Sequence, residues 1–505
     1  MKSMSWWGLG MLLVGACVPG AKAPEPLNPV RLLLINDVYV TDTLSDGSGG
    51  LARVATVRNR LADQGPVLLV LAGDFLSPSL LSKYYGGRQM VEALNAAKLD
   101  YATFGNHEFE LPRDTLISRI DQSSFKWVST NCTLADGNPF PKVLPWDTVR
   151  VSGHLVGLFG LTLAGDYRSY VRCADPDRAA TTAVDTLTGL KADLIVGITH
   201  QTAEADRDLL AREPRIDLIL GGHEHEALDS VVSGRHVLKA DANSRSAQFA
   251  TLWGGKGKWR QAVGLVRIDS RLPDDTATAR VAEAWADSLR KRLGPERAVG
   301  TAAAPIDARD AVSRRRESAI GALVTDAFRA GTGADVALLN AGAMRLDDVI
   351  PAGPISNYQL ESIFLFADET RIVTFPLSGD RLREVLEHGV SDASLGKGGF
   401  LQVSGVRFTF ERSRRSGTRL AGDLQRPGGG TIAPADTVQV AMAAYPACDA
   451  GEGYRVPEAA ESCGRAESAP RAADLLIGYI SDSLGGKVTL PPAGRIVEVG
   501  TPNPS

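Results

Sequence analysis

Polar side chains able to bind metal ions follow five short apolar runs in the first half of the chain. The positions are Asp37, Asp74, Asn106-His107, His200 and His223–His225. Runs such as Val30–Ile35 and Val67–Leu71 predict buried strands, because they are short and rich in Val, Ile and Leu. The carboxyl ends of parallel strands meet at one edge of a sheet. We therefore expect these side chains to form one site.

These ligand types predict a catalytic centre of two divalent metal ions. Carboxylate, amide oxygen and imidazole together suit Mn, Zn, Co or Fe better than Ca. Two ions held ~3.5–4 Å apart can clamp a phosphate, activate a water and stabilise the leaving oxygen. Three further histidines, His154, His236 and His388, lack such a motif and are expected to be structural. The identity of the ions stays open.

The elements that must position these residues predict two α/β domains. Residues 30–270 alternate apolar runs with amphipathic helical patterns, which is typical of α/β layers. Residues 271–299 predict a linker helix, because apolar residues recur at helical spacing among Ala, Arg and Glu. Residues 300–500 predict a second α/β domain. Its motifs differ from those of the first domain, so no internal repeat is expected.

Length and composition agree with a globular protein of more than one domain. The chain has 505 residues, too many for one hydrophobic core, with 44% hydrophobic and 23% charged residues. The net charge of −4 gives no general attraction to nucleic acid, so no nucleic-acid partner is expected. The oligomeric state stays open.

The N-terminus predicts export to the cell envelope. Lys2 and the apolar stretch Trp6–Val14 have the order of a signal peptide, which would span residues 1–17. Its ending, Val-Gly-Ala-Cys, resembles the bacterial lipoprotein box, in which Cys17 is lipidated; a plain secretory signal is the alternative. Residues 18–29 are Pro-rich and predict an extended tether. Membrane contact is expected only through this lipid anchor, on the periplasmic side of the outer membrane or at the cell surface.

Export also implies an oxidising compartment, in which disulfides persist. Without Cys17, four cysteines remain. Cys132 and Cys173 lie within the first predicted domain. Cys448 and Cys463 lie within the second and would close a short loop. We expect these two pairs to be disulfides, although the sequence alone permits other pairings.

The ordered motifs resemble the calcineurin-like metallophosphoesterases over residues 30–265. The shared pattern is Asp, Gly-Asp, Gly-Asn-His-Glu, His and Gly-His-x-His. The resemblance implies a four-layer α/β/β/α sandwich. The ligands that it implies are Asp74 on both ions, Asp37 and His225 on one ion, and Asn106, His200 and His223 on the other. It also implies that His107 contacts the phosphate and assists the leaving group, with Glu110 orienting it where the family usually has Asp.

The first motif departs from this family at Tyr39, where the family pattern Asp-x-His has a ligand histidine. Residues i and i+2 lie on the same side of a strand end, so Tyr39 is expected to point where that ligand would. Three alternatives stay open. Tyr39 ligates as a phenolate, which would favour a ferric ion; water takes the missing ligand's place; or that metal position is weak or empty.

The second half resembles the C-terminal domain of bacterial and animal 5′-nucleotidases. The resemblance rests on Arg314–Ser318 before a predicted helix and on Asn340–Arg345, which reads Asn-Ala-Gly-Ala-Met-Arg where the family has Asn-Gly-Gly-Gly-Ile-Arg. Residues 450–454, Ala-Gly-Glu-Gly-Tyr, correspond to the family's Gly-Gly-Asp-Gly-Tyr. The implied substrate-binding residues are Arg314, Asn340, Arg345, Phe366, Tyr445 and Glu452.

The resemblance gives these residues distinct roles. Arg314 and Arg345 would hold phosphate or ribose, and arginine forks suit such oxygens. Asn340 would bind the base edge, and Glu452 would contact the ribose. Two aromatic rings, identified in this chain as Phe366 and Tyr445, would sandwich the base.

The two resemblances together imply a metal-dependent 5′-nucleotidase that converts nucleoside 5′-monophosphates to nucleoside and phosphate. Within the same fold, 2′,3′-cyclic nucleotide phosphodiesterase, 3′-nucleotidase, UDP-sugar or dinucleotide hydrolase and thiosulfate-ester hydrolase remain alternatives. A different class is a degenerate nucleotide-binding lipoprotein, motivated by Tyr39, Glu452 and the altered Asn340–Arg345 motif. The intact metal-ligand motifs argue against decay.

Overall fold

The computed structural model describes residues 28–500 except 45, 166, 256–257, 347, 367–369 and 392. The predicted signal peptide, Cys17 and residues 18–27 of the predicted tether lie outside the described residues. The described chain forms two α/β domains, which confirms the predicted fold class. Among the described helices, none is long and apolar enough to cross a membrane.

The first domain contains two stacked sheets. One has, in spatial order, the strands Lys258–Arg267, Ser246–Gly255, Val30–Ile35, Val67–Ala72, Tyr101–Thr103, Lys126–Val128 and Val143–Leu144. The other has Leu228–Val232, Arg235–Lys239, Leu218–Gly222, Leu194–His200, His154–Thr162 and Trp146–Val151. The strands that end at predicted ligands run parallel to one another within each sheet. Their carboxyl ends therefore share an edge.

Alternating side chains hold the layers together, as the strand Val30–Ile35 illustrates. Leu32 and Leu34 are buried between the two sheets, whereas Leu33 and Ile35 are buried against the outer helices. Successive side chains of a strand point to opposite faces, so a strand covered on both faces is apolar throughout. This packing explains why the run carries no hydrophobic-polar alternation.

Helices cover the outer face of each sheet and complete the four layers. Those beside the first sheet are Leu51–Ala62, Leu80–Tyr85, Arg88–Ala96 and Arg113–Gln122. Those beside the second are Pro176–Gly189 and Ala203–Arg212. The small pair of strands Cys132–Leu134 and Val171–Cys173 lies outside both sheets.

The predicted linker helix is shorter than residues 271–299 and packs on the first domain. It runs from Thr276 to Leu293. Asp275 caps its N-terminus, because the Asp275 carboxylate accepts a hydrogen bond from the Thr278 amide. Its Trp285 indole donates to Glu92, 3.0 Å away. The second domain then starts with the strand Ala298–Ala302, just inside the predicted linker.

The second domain is built around a four-stranded sheet in the order Ile372–Ser378, Thr437–Ala443, Val336–Asn340 and Leu401–Ser404. Helices Ala319–Thr332 and Gly379–Val390 pack against it. Smaller sheets pair Gly353–Ser356, Ala298–Ala302 and Lys487–Val488; Leu420–Gln425, Arg407–Glu411 and Ile496–Val499; and Ile306–Asp307 with Val349–Ile350. Short helices are Asp310–Ser313, Asn357–Glu361, Ala444–Cys448, Ala460–Cys463 and Ala472–Gly478.

Both disulfides predicted from the sequence are present. Cys132 and Cys173 join neighbouring antiparallel strands, with Cα atoms 4.0 Å apart. Cys448 and Cys463 are 15 residues apart in the chain and tie two short helices of the second domain. Each disulfide lies within one domain, so neither restricts the arrangement of the two domains.

Candidate metal centre and substrate cavity

The sheet edge of the first domain brings Asp37, Asp74 and His200 together as a buried cluster. One potential ligand atom from each lies within 4.8 Å of the others. His200 Nε2 is 3.0 Å from Asp74 Oδ2, while His200 Nδ1 lies 2.8 Å from the Ala72 carbonyl oxygen. The backbone contact at Nδ1 leaves Nε2 facing the two carboxylates, so this edge can bind a cation.

Glycines make this close approach possible. A Cβ at position 105 would lie 2.0 Å from Asp74 Oδ1, and a Cβ at position 222 would lie 2.3 Å from the Ala72 carbonyl oxygen. Neither distance is compatible with a side chain. Gly105 and Gly222 therefore set how tightly the strand ends converge.

The backbone at the ligand positions is strained. Asp37 and Asp74 have φ values of 53° and 57°, and His223 and His225 have 94° and 62°. Such positive values are uncommon for residues other than glycine and cost ~1–3 kcal/mol each. The surrounding contacts must hold these conformations, which aim the four side chains at one another.

The remaining predicted ligands lie at the same edge. Asn106 Oδ1 is buried and accepts no hydrogen bond from the described residues. His223 donates its backbone N–H to Asp37 Oδ2 at 2.9 Å, and the His223 and His200 rings are 5.3 Å apart. His225 Nε2 is 3.4 Å from Asp37 Oδ1. We call the set Asp37, Asp74, Asn106, His200, His223 and His225 the metal edge.

The protonation behaviour of the metal edge reflects two buried carboxylates. Burial alone would raise the pKa of Asp74, but the nearby His200 and His107 imidazoles outweigh it and hold that pKa well below its usual range. Burial likewise lowers the pKa of His200, but Asp74 and Asp37 overcome this effect and raise it to about 10. Asp37 and Asp74 thus stay ionised although they are buried, which favours a cation at this edge.

Tyr39 points into the metal edge, at the place predicted for the missing family ligand. Its hydroxyl is 3.2 Å from His225 Nε2 and 3.4 Å from Asp74 Oδ2. Burial and the Asp74 and Asp37 carboxylates raise the pKa of Tyr39 well above its usual value. This effect disfavours ionisation of the phenol in the metal-free site, and the three alternatives for its role stay open.

His107 and Glu110 form a hydrogen-bonded pair beside the metal edge. They lie in the short 3₁₀ helix His107–Glu110, and His107 Nδ1 is 2.8 Å from Glu110 Oε1. Burial lowers the pKa of His107, but Asp74 and Glu110 outweigh it and raise it to about 8. This is the contact that the orienting role implied for Glu110 requires.

Arg345 reaches this pair from the second domain. Its Nη2 lies 3.1 Å from His107 Nδ1 and forms an ion pair with Glu110. The guanidinium also lies 5.5 Å from the centre of the Phe366 ring. The resemblance implied a contact with phosphate or ribose, whereas here Arg345 joins the catalytic pair to a candidate stacking residue.

A cavity of about 460 Å³ connects the metal edge with the second domain. Its lining includes Tyr39, His107, His225, Asp310 and Arg345. Arg314 does not line this cavity and instead pairs with Asp310, which does. The predicted contact of Arg314 with substrate stays a prediction.

The other predicted substrate residues lie on the second domain and, like Arg314, are not among the residues that line this cavity. Phe366 and Tyr445 are the most exposed aromatic side chains among the described residues, at 38% and 57%. Asn340 is buried, and its Oδ1 accepts no hydrogen bond within the described part of the chain. A Cβ at Gly398 would meet Glu452 Oε1 at 2.6 Å. We call Asn340, Phe366, Tyr445 and Glu452 the substrate surface.

Two residues that hold the metal edge were not predicted as site residues. The Glu108 carboxylate accepts backbone hydrogen bonds from Asp74, Phe75, Leu76 and Gly105, at 2.7–2.9 Å. The Asn36 amide donates to Asp37 Oδ2 at 2.7 Å. Glu108 could have been found, because it completes the Gly-Asn-His-Glu motif. Asn36 carries no comparable signal.

Two family models match the chain. The calcineurin-like phosphoesterase model matches residues 30–227, and the model for the 5′-nucleotidase C-terminal domain matches residues 298–459. The chain belongs to the 5′-nucleotidase family. Both matched domains are those of a phosphoester hydrolase, and their order agrees with the two domains of the fold.

Several known proteins are similar to most of this chain. Human 5′-nucleotidase is 24% identical and is matched over 81% of this chain and 80% of its own. The trifunctional nucleotide phosphoesterase protein YfkN of Bacillus subtilis is 25% identical over 92% of this chain, which spans 35% of that relative. A 5′-nucleotidase precursor from Thermus thermophilus has a TM-score of 0.76 at 25% identity, covering 94% of this chain and 100% of that one.

Proposed function

We propose that this protein hydrolyses nucleoside 5′-monophosphates to nucleoside and phosphate, using two divalent metal ions, in the cell envelope. One observation carries the proposal. The buried cluster Asp37, Asp74 and His200 lies beside the His107–Glu110 pair, which Arg345 contacts from the second domain. A phosphate seated there would meet metal ligands, a proton donor and a guanidinium.

The residues of the metal edge fit the ions that the family implies. Asn106 Oδ1 is a buried acceptor without a donor among the described residues, and the edge offers carboxylate, amide and imidazole groups. Asp74 would be shared, Asp37 and His225 would hold one ion, and Asn106, His200 and His223 the other. Such a pair supplies a nucleophile at neutral pH and neutralises charge on the phosphoryl oxygens. Mn, Zn, Co and Fe all suit this donor set.

His107 protonates the leaving group. The contact with Glu110 fixes Nδ1 of His107, and Nε2 faces the metal edge, 3.7 Å from Asp74 Oδ2. As water attacks phosphorus and the bond from phosphorus to the 5′ oxygen breaks, His107 Nε2 donates its proton to that oxygen. A positioned acid of this kind contributes ~10²–10⁴-fold to the rate.

The substrate surface supplies the nucleoside contacts. The exposed rings of Phe366 and Tyr445 offer flat faces to a nucleobase, and base stacking contributes ~1–3 kcal/mol per base. Glu452 is exposed on the same domain, and Asn340 offers a buried Oδ1 acceptor that has no donor among the described residues. This surface supports a nucleotide as the substrate in preference to a simple phosphate ester.

The test uses residues 18–505 stripped of metal, supplied with Mn, Zn, Co or Fe separately and then with AMP. We expect phosphate release that depends on metal and falls ~10²–10⁴-fold in His107→Ala. Release without metal, or equal release from His107→Ala, contradicts the mechanism. No release with any of the four metals, while AMP still binds, would favour a degenerate nucleotide-binding protein.

A second substrate class remains within the same family. The relative matched over 92% of this chain is named a trifunctional nucleotide phosphoesterase. 2′,3′-Cyclic nucleotides, 3′-nucleotides and UDP-sugars therefore belong in the same assay. A higher kcat/KM for any of them than for AMP would leave the proposed metal centre unchanged but would replace AMP as the preferred substrate.

Envelope location is part of the proposal and rests on the N-terminal pattern ending in Cys17. Mass spectrometry of the protein purified from its cell membranes would show a lipidated Cys17 as the first residue. A mature protein that begins beyond Cys17 and fractionates without membranes would contradict the lipid anchor.

A further inference from the structure

A buried lysine lies directly behind the metal edge. Lys239 ends the strand Arg235–Lys239 and is 0% exposed. Lysine is almost never fully buried unless its charge is paired. The catalytic scheme above gives Lys239 no part, so its burial calls for another explanation.

The Lys239 ammonium joins the two loops that carry the histidine ligands. It donates to the backbone carbonyl oxygens of Gln201 at 2.6 Å and Gly222 at 2.7 Å. Gln201 follows His200 in the chain, and Gly222 precedes His223. One cation thus binds the backbone next to a ligand in each loop.

Two carboxylates complete the environment of the ammonium. Asp206 Oδ2 lies 2.9 Å from Lys239 Nζ, and its helix, Ala203–Arg212, follows the His200 loop. Glu224 also pairs with Lys239 and accepts a hydrogen bond from the Ala203 backbone N–H. Glu224 therefore ties the segment between two histidine ligands to both the lysine and the start of the helix.

This pairing acts where the backbone is strained. Glu224 lies between His223 and His225, whose φ values are 94° and 62°. Conformations of this kind persist only where surrounding contacts determine them. Lys239 holds the carbonyl just before this segment and the carboxylate in its middle.

The packing leaves room for the lysine and for little else. A Cβ at Gly221 would lie 2.9 Å from Lys239 Cε and 2.9 Å from Asp206 Oδ2. The next residue, Ala240, exchanges two hydrogen bonds with the Asn36 side chain, at 2.7 and 3.0 Å. Asn36 in turn donates to Asp37, so the strand end carrying Lys239 contacts both sheets at the metal edge.

We propose that Lys239, with Glu224, is a positioning residue of the metal centre that fixes His200, His223 and His225 for binding. This inference rests on the metal-dependent part of the proposed function. Contacts behind the ligands orient them, and their loss typically weakens metal binding ~10–100-fold. Lys239 is thus a buried cation that orients the ligands and does not contact substrate.

The test measures Co²⁺ binding by the metal-free protein, using titration calorimetry and the visible spectrum of the bound ion. In Lys239→Met we expect ~10–100-fold weaker Co²⁺ binding and altered visible bands. A matched control is Arg495→Met in the second domain. Arg495 likewise donates to a carboxylate, Asp326, and to two carbonyl oxygens, those of Ala322 and Val403. Its loss should lower Tm without changing Co²⁺ affinity or spectrum.

Unchanged Co²⁺ affinity and spectrum in Lys239→Met, with only a lower Tm, would overturn the inference. If that variant does not fold, Glu224→Ala decides, since the Glu224 side chain is 30% exposed and its removal leaves the buried lysine–Asp206 pair. Weaker binding in Glu224→Ala supports the proposal, and parental binding rejects it. Failure of the parental protein to bind Co²⁺ would instead reject the metal-dependent function on which the inference rests.

Discussion

The metal edge of the first domain and the substrate surface of the second differ in how their side chains are held. At the metal edge, Asp74 is buried, and the Glu108 carboxylate accepts hydrogen bonds from the backbone around it. On the substrate surface, Phe366 and Tyr445 are exposed. The metal edge thus depends on backbone-coupled geometry, whereas Phe366 and Tyr445 can change at little structural cost.

Departures from the family motifs occur in both domains. In the second domain, Ala341 and Ala343 replace two glycines of the Asn340–Arg345 motif, and position 452 is Glu. In the first domain, the departure at the first motif is Tyr39, which lines the cavity. Ala341 and Ala343 are buried, so the departures are not confined to exposed positions.

The largest effect is expected from crowding the metal edge with a single methyl group. In Gly105→Ala, the Cβ would fall 2.0 Å from Asp74 Oδ1, so the shared carboxylate must move. A displacement of about 1 Å at such a site costs ~10²-fold in rate. We expect at least that loss in kcat, together with loss of metal, measured by phosphate release and elemental analysis.

Gly189→Ala is the matched control, because a Cβ there has no atom within 4 Å. It should keep full activity and metal content. If Gly105→Ala behaves like Gly189→Ala, the metal edge is more compliant than its close contacts indicate, and the contrast between the two regions fails.

A smaller and different effect is expected on the substrate surface. Phe366→Ala removes a stacking face worth ~1–3 kcal/mol, so KM for AMP should rise ~5- to 150-fold with kcat nearly unchanged. Tyr445→Ala should raise KM in the same direction. Steady-state kinetics with AMP separates the two constants.

Val497→Ala provides the comparison for that result, because Val497 is similarly exposed, at 41%, on a strand away from the substrate surface. Its KM should equal that of the parent. A fall in kcat rather than a rise in KM for Phe366→Ala would mean that the ring acts through Arg345, whose guanidinium it contacts.

The sequence predicted the metal edge more completely than the substrate surface for a physical reason. Asp37, Asp74 and His200 directly follow strands, and parallel strands bring their ends to one edge whatever the details of packing. The contact of Arg345 with Glu110 depends on how two domains dock, which no local pattern encodes. In the sequence, Lys239 reads as an ordinary last residue of the strand Arg235–Lys239, because its burial is known only from the structure.

The limits of local sequence patterns also explain where the observed structure differs from the predicted one. The predicted linker, residues 271–299, extends past the helix Thr276–Leu293. Asp275 before the helix and Gly294-Pro295 after it are start and stop signals that the sequence already carries. The motif predicts Arg314 as a substrate contact, and the structure adds its ion pair with Asp310, one helical turn earlier. Composition and motif identify candidates, and neighbours decide among them.

The smallest effect is expected where the two regions meet, at Tyr39. Tyr39→Phe removes only a hydroxyl, which lies 3.2 Å from His225 Nε2 and 3.4 Å from Asp74 Oδ2. Burial and the Asp74 and Asp37 carboxylates raise the pKa of Tyr39 in the metal-free site, which disfavours phenolate ligation. We therefore expect Tyr39→Phe to change metal content little and to remove no visible absorption band. Metal analysis and the visible spectrum of the iron-loaded protein test this expectation. A charge-transfer band that disappears in Tyr39→Phe would show phenolate ligation to a ferric ion.

Tyr39→His supplies the family's ligand and completes the comparison. If one metal position lacks a protein ligand in this chain, the added imidazole should tighten binding at that position while the other is unchanged. Two-site titration of the metal-free protein would resolve the two affinities. Tightening at one position alone would mean that the metal edge, despite the backbone contacts that hold it, is tuned through the half-buried side chain at position 39.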